Sequence, residues 1–244
     1  MQPRVQPGSQ PDSRSKPWSN PWSSRRLALA LAAASAAVLI TMLIVTLVTG
    51  AAQEPHEWYQ PPVAYAQSLL VRPGAIRLVF GLDVGFLVLY TAFFAALADH
   101  LTRLGRPFVR LALGAMIATA VLDIVEDHHI LTLLSVAEAG RPIDDAAVVF
   151  QQVLSSTKFS ISYLALVMFG LAIPRDTWLG IVLAVFLVAG TLITGVLGYA
   201  APPAWHAQLD GGRGVGFLLG FALAAAWLRA TPEPPAAPHS RAET

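Results

Sequence analysis

From Leu27 onward, apolar runs of membrane-crossing length alternate with short polar segments. Residues 27 to 53 carry no charge, and 177 to 199 carry none either. Further apolar runs cover 74–98, 111–134, 151–173 and, with many glycines, 212–228. A helix needs about 20 predominantly apolar residues to cross the hydrocarbon layer. The pattern therefore predicts an all-α bundle of six transmembrane helices over 27–50, 74–98, 111–134, 151–173, 177–199 and 212–228, within a membrane domain of residues 25–230. Pro174-Arg175-Asp176 is a polar turn between the fourth and fifth helices.

The flanks read differently. Residues 1–24 are rich in Pro, Ser, Gln and Arg, too poor in aliphatics to offset chain entropy, and are expected to be a disordered tail. Trp18 and Trp22 followed by Arg25 and Arg26 form the expected interfacial anchor. The Pro/Ala-rich stretch 231–244 is expected to be a second disordered tail.

Composition sharpens this picture. Of 244 residues, 55% are hydrophobic and 13% charged, which excludes an ordinary soluble domain, where about a quarter are charged. With no cysteine, disulfide frameworks, thiolate metal sites and Cys nucleophiles are excluded. Of the 16 Lys and Arg residues, eleven fall on the side of the N-terminus when the six spans are threaded, and Arg72, Arg77, Arg141, Lys158 and Arg213 on the other. That asymmetry predicts both termini in the cytoplasm of a bacterial plasma membrane. A rival reading places a signal-peptidase site at Gly50-Ala51-Ala52, although the apolar run before it exceeds a usual signal core. The basic residues follow topology rather than pairing with aromatics, so nucleic acid is not an expected partner.

Ionised groups at the bilayer centre cost about 2.5 to 3.5 kcal/mol each on insertion scales, so their positions carry information. By helix rise, Asp83 lies about 13 Å below the outer end of its span, Asp123 to Asp127 about 10 to 16 Å, and Lys158 about 10 Å. Three helices thus place acids and a lysine in one layer of the outer half. Asp123, Glu126 and Asp127 share a face at i, i+3 and i+4, continued by Ile130 and Leu134. Asp83 is followed on its face by Phe86, Leu87 and Tyr90, and Lys158 is flanked by Ser155 and Ser162. Four carboxylates around one lysine cannot all stay ionised in a low dielectric, so protons, water or a cation must complete the balance. Arg77, His206, Asp210 and Arg213 are expected to form a rim. Residues 56–71, with Trp58, Tyr59 and Tyr65 between prolines, are expected to lie along the interface over this layer. His100 is expected in a solvated cytoplasmic loop.

Several motifs fall short of a defined chemistry. Glu126-Asp127-His128-His129 contains one Glu-x-x-His, but a di-iron bundle needs a second. A zinc site from His129, His206 and a carboxylate is a weak alternative, with His128 and His129 capping the polar face as the plainer one. Gly211 to Gly216 follows no strand, so a phosphate loop is set aside. Gly212, Gly216 and Gly220 recur at i, i+4 and predict close helix packing, including a helix–helix homo-oligomer, and Gly81 and Gly85 predict a second close contact.

Leu82-Asp83 with Phe86 and Tyr90, Asp123 followed by Glu126-Asp127, and Lys158-Phe159 resemble the motifs of an uncharacterised family of small bacterial polytopic membrane proteins. The resemblance spans residues 81–169 and singles out Asp83, Asp123, Glu126 and Lys158. The family pattern Asp-x-x-Glu-Asn is altered here, with Asp127-His128-His129 in place of the Asn.

Three functions fit these observations. The leading one is an extracytoplasmic-half site, with Lys158, Asp127 and Tyr90 as binding groups, for a proton, a cation or an amphiphilic small molecule. A second is an intramembrane acid–base enzyme acting on a lipid or isoprenoid, with Glu126 as acid and Asp83 or Asp123 as partner. A third is a structural or accessory subunit, in which neutralising Asp83 and Lys158 together is tolerated while either change alone is harmful. No inverted repeat supports a transporter. The sequence does not identify a cofactor.

Overall fold

The computed structural model describes residues 23–231; the expected tails and the Trp18–Trp22 anchor lie outside them, except for Ser23, Ser24 and Thr231. The long elements are α1 (Ser24–Thr49), α3 (Pro73–Arg103), α4 (Val109–Glu138), α5 (Asp145–Ala172) and α8 (His206–Ala230). A short α2 (Pro62–Leu70) precedes α3, and α6 (Trp178–Val185) continues through a π turn, Phe186–Gly190, into α7 (Thr191–Ala200). No strand occurs among the described residues.

Local chemistry sets the ends. Ser23 caps α1 through Arg26 N–H, and Gly50 closes it with φ 69°, its N–H reaching the Thr46 carbonyl at 2.7 Å. Pro62 and Pro73 open α2 and α3, where a missing N–H costs nothing. Asp144 caps α5 through Ala146 N–H at 3.3 Å, and Thr177 caps α6 through Gly180 N–H at 3.1 Å.

Among the described residues, five segments are long and apolar enough to cross a membrane: Ser24–Thr49, Pro73–Arg103, Asp145–Ala172, Trp178–Ala200 and Gln208–Ala230. The third predicted span, α4, is 30 residues long but is not among them, because Arg110, Asp123, Glu126 and Asp127 interrupt its apolar run. The helices also outrun the predicted spans, since α5 starts at Asp145 rather than 151 and α8 runs from His206 to Ala230.

The rods close into a ring. α1 packs on α3 and α8, α3 on α4, α4 on α5, α5 on the α6–π–α7 rod, and that rod on α8. Two apolar clusters fill it. The larger holds Leu39, Phe86, Phe93, Met116, Phe169 and Trp227; the smaller holds Tyr65, Leu69, Phe80, Ile130, Leu134 and Val148. The polar layer lies between them, as Asp83 separates Phe80 from Phe86 and Glu126 separates Met116 from Ile130.

Two expectations change. His100 lies on α3, buried, its ring edge-on to Trp227 at 5.9 Å, because α3 runs beyond the predicted span into the packed end of the ring. Within the chain, the glycines at 81, 85, 212 and 216 have no neighbour within 4 Å of an ideal Cβ, whereas at Gly220 a Cβ would lie 3.4 Å from Phe186 Cε1. Close approach occurs instead at Gly170, where a Cβ would meet Val188 Cγ2 at 2.8 Å, and at Gly180, where it would meet the Pro174 carbonyl.

Candidate functional site

Gln151, Ser155, Lys158 and Ser162 form a buried polar stripe on α5, at the i, i+4, i+7 and i+11 spacing of one helix face. Lys158, 4% exposed, donates to Asp123 Oδ1 at 2.9 Å and to Glu126, and lies 3.7 Å from Glu57 Oε1. Glu126 is fully buried and accepts further from Gln151 Nε2 at 3.0 Å and from the Ser155 hydroxyl. Both its oxygens are therefore occupied, which is what a buried carboxylate requires to stay charged.

Beside this pair, carboxylate oxygens of Asp83, Asp123 and Asp127 lie within 4.8 Å of one another. Asp123 accepts from the Tyr90 hydroxyl at 3.4 Å, and Asp127 Oδ1 from Gln53 Nε2 at 3.2 Å. Asp127 Oδ2 is buried and takes no N–H or hydroxyl donor, and the Asp127 and Asp83 carboxyls lie within hydrogen-bond reach of each other.

The segment between α1 and α2 covers the layer and adds to it. Glu57 accepts from Arg213 Nη2 at 2.7 Å, and Arg213 also pairs with Asp210 on its own helix. Trp58 Nε1 donates to Asp210 Oδ2 at 3.2 Å, and its ring stacks on His206 at 3.6 Å. Arg213 lies over the Phe159 ring at 4.0 Å, a cation–π arrangement. Seven carboxylates, Glu54, Glu57, Asp83, Asp123, Glu126, Asp127 and Asp210, thus meet two cations, Lys158 and Arg213.

The structure brings together Asp83, Asp123, Glu126, Asp127, Lys158 and Tyr90 in this layer. The two candidate zinc histidines are engaged elsewhere. His129 Nε2 is 3.1 Å from the Ala147 carbonyl and edge-on to Phe150, while His206 lies against Trp58. His128 contacts its own helix at the Ile124 carbonyl, and Arg77 forms a bidentate pair with Glu138 away from the layer. Among the described residues, the one His/Asp/Glu group with ligand spacing is Asp83, Asp123 and Asp127. Glu57, Gln53 and Gln151 belong to the layer but were not singled out from sequence. Gln151 had a signal, the i+7 spacing to Lys158; Glu57 had none, being a loop residue flanked by prolines and aromatics.

Inside the ring lies a cavity of about 460 Å³. Its polar end is formed by Gln53, Glu57, Asp83, Asp123, Lys158 and Arg213. Its apolar wall continues along α3 through Phe86, Tyr90 and Phe93 to Leu97, and along α8 past Gly212, Gly216 and Phe221 to Ala224. From Asp83 to Leu97, and from Asp210 to Ala224, helix rise gives a depth of about 21 Å. Glu126 is not part of this wall, since it sits behind Lys158; the acids that face the cavity from α3 and α4 are Asp83 and Asp123.

Two groups in the covering segment have shifted ionisation. Burial holds the His56 imidazole down at about 4 against a smaller opposing effect of Glu57, and burial raises the Glu54 carboxyl. His56 contacts Ser68 through Nδ1 at 3.4 Å, and its carbonyl accepts from the Tyr65 hydroxyl at 3.2 Å. Comparison with family models, with curated proteins and with solved structures gives no match, so the reading of the site rests on its geometry.

Proposed function

We propose that this is a multi-pass protein of the bacterial plasma membrane that binds an amphiphilic small molecule, its chain in the central cavity and its headgroup at the Lys158 layer. The observation that carries this reading is the cavity itself, an apolar depth of about 21 Å capped by charged groups. All six rods cross the bilayer in this reading, with both termini in the cytoplasm. α4 crosses because its acids turn inward, while its outward residues, including Leu111, Ile117, Val121 and Val125, are apolar and exposed. Lipid would cover that face.

A photoreactive alkyl chain tests the reading. It should label the α3 segment from Phe86 to Leu97 and the α8 segment from Gly216 to Phe221, and a non-reactive analogue should abolish that labelling. Labelling confined to the outward residues Leu47, Val48 and Ile193 would contradict it.

A second reading, acid–base chemistry on a lipid or isoprenoid, is favoured by one observation. Asp83, Asp123 and Tyr90 face the cavity at the depth where a bound chain meets its headgroup. The acid and base roles then fall to Asp83 and Asp123 rather than to Glu126. Product formation from a membrane lipid extract, lost in Asp83→Asn, is the expected sign of it.

A further inference from the structure

Both cations of the polar layer are already held by more than one carboxylate. Lys158 faces Asp123, Glu126 and Glu57, and Arg213 faces Glu57 and Asp210. Their remaining faces are closed as well, since Phe159 lies 4.6 Å from Lys158 Nζ and 4.0 Å from the Arg213 guanidinium. An anionic headgroup entering the cavity would find no unengaged cation and would sit among carboxylates instead. Phosphate and carboxylate headgroups are disfavoured for that reason.

The opposite holds for a positive headgroup. Asp83 and Asp123 line the cavity, with Asp127 immediately behind them, 1% exposed and within hydrogen-bond reach of Asp83. Charge-assisted N–H···O bonds run about 2.7 to 2.9 Å, so two oxygens on one tetrahedral ammonium lie about 4.4 to 4.7 Å apart. The carboxylate oxygens of Asp83, Asp123 and Asp127 fall within 4.8 Å of one another. Below that point the wall becomes aromatic and aliphatic, with Phe86 and Phe93 following Asp83 down α3.

We infer that the ligand of the central cavity is a long-chain amine, its ammonium seated between Asp83 and Asp123 and its hydrocarbon chain running toward Leu97. This rests on the amphiphile reading above and adds the sign of the headgroup. A charge-assisted pair replaces water at the ammonium, and the chain fills the apolar depth, so both ends of the molecule find complementary surface.

The test uses the full chain in a neutral maltoside detergent and three probes of equal chain length: dodecylamine, dodecanol and dodecanoic acid. Dodecylamine should bind at least about ten-fold tighter than dodecanol, and dodecanoic acid should bind more weakly than the alcohol. In Asp83→Asn the amine should lose that advantage while dodecanol binds as before, which also shows that the variant is folded. The ranking on the wild-type protein stands by itself if the variant does not fold. Equal binding of all three probes, or tighter binding of the acid, would overturn the cationic headgroup and leave the amphiphile reading standing. No saturable binding of any probe would overturn both. Competitive displacement of the amine by calcium or sodium chloride at matched ionic strength would assign the carboxylates to a metal ion and overturn the amine.

Discussion

Arg213 of α8 donates to Glu57 at 2.7 Å and so ties the last helix to the segment that follows the first. Glu57 also lies 3.7 Å from Lys158, which makes it the one acid that faces both cations of the layer. Removing Glu57 breaks the bridge between the two buried cations, while Lys158 keeps Asp123 and Glu126 and Arg213 keeps Asp210. Glu57→Ala is expected to destabilise the fold by about 1 to 3 kcal/mol, the loss of charge-assisted contacts to cations that keep other partners, read as a lower denaturation midpoint in detergent. The pair Glu57→Gln with Arg213→Met should lose less than the sum of the single changes.

The same logic relocates the compensating partner of Lys158. Its closest acids are Asp123 and Glu126, not Asp83. Lys158→Met alone leaves the buried Glu126 without its cation and is expected to cost about 3 to 5 kcal/mol, more than Glu57→Ala, and adding Glu126→Gln should recover part of the loss. Adding Asp83→Asn instead should recover little. Thermal unfolding of the three proteins distinguishes these outcomes.

Glycine substitutions separate packing from lining. At Gly170 a methyl group would press on Val188 at 2.8 Å and Leu187 at 2.9 Å, so Gly170→Ala is expected to cost about 1 to 3 kcal/mol. At Gly216 a methyl group meets nothing within 4 Å, so Gly216→Ala should be neutral or stabilise α8 by up to about 1 kcal/mol. Denaturation midpoints of the two variants check the contrast.

The covering segment should respond to mild acid. His56 is buried and titrates near 4 when folded, against an ordinary 6.5. The unfolded chain therefore takes up the proton first, and stability present in full above about 6.5 is lost as the pH falls through 4, by up to about 3 kcal/mol. Glu54, raised by burial, works the other way and gains stability as the pH falls toward 4.5. His56→Gln isolates the two, and its stability should no longer fall between pH 6.5 and 4.

Much of this arrangement was legible in the sequence. Apolar runs separated by polar turns marked the rods, and the i, i+3, i+4 spacing of Asp123, Glu126 and Asp127 put them on one inward face. Helix rise placed Asp83 and Lys158 at the same depth. Glu57 was not legible, because an acid in a loop reads as solvated until the fold shows the loop tucked over Lys158. Nor were the glycines, since an i, i+4 repeat serves close packing and cavity lining equally well; only the neighbouring atoms decide. The π turn at Phe186–Gly190 likewise left no sequence signal; it lies where the α6–α7 rod packs on α5.

Orientation is open to a direct check, because the chain has no native cysteine. Arg141→Cys lies between α4 and α5, and Arg175→Cys between α5 and α6. A membrane-impermeant maleimide applied to intact cells should label the first and spare the second.

The central claim is an amphiphile in the cavity, and native mass spectrometry of the protein purified in neutral detergent tests it most directly, beside Gly216→Leu. Leucine at that position projects into open space within the cavity, so the variant should fold and lose the ligand. The expected result is one bound amphiphile per wild-type chain and none on the variant. A wild-type chain that emerges bare from lipid-supplemented membranes, or a variant that keeps the adduct at wild-type occupancy, would contradict it.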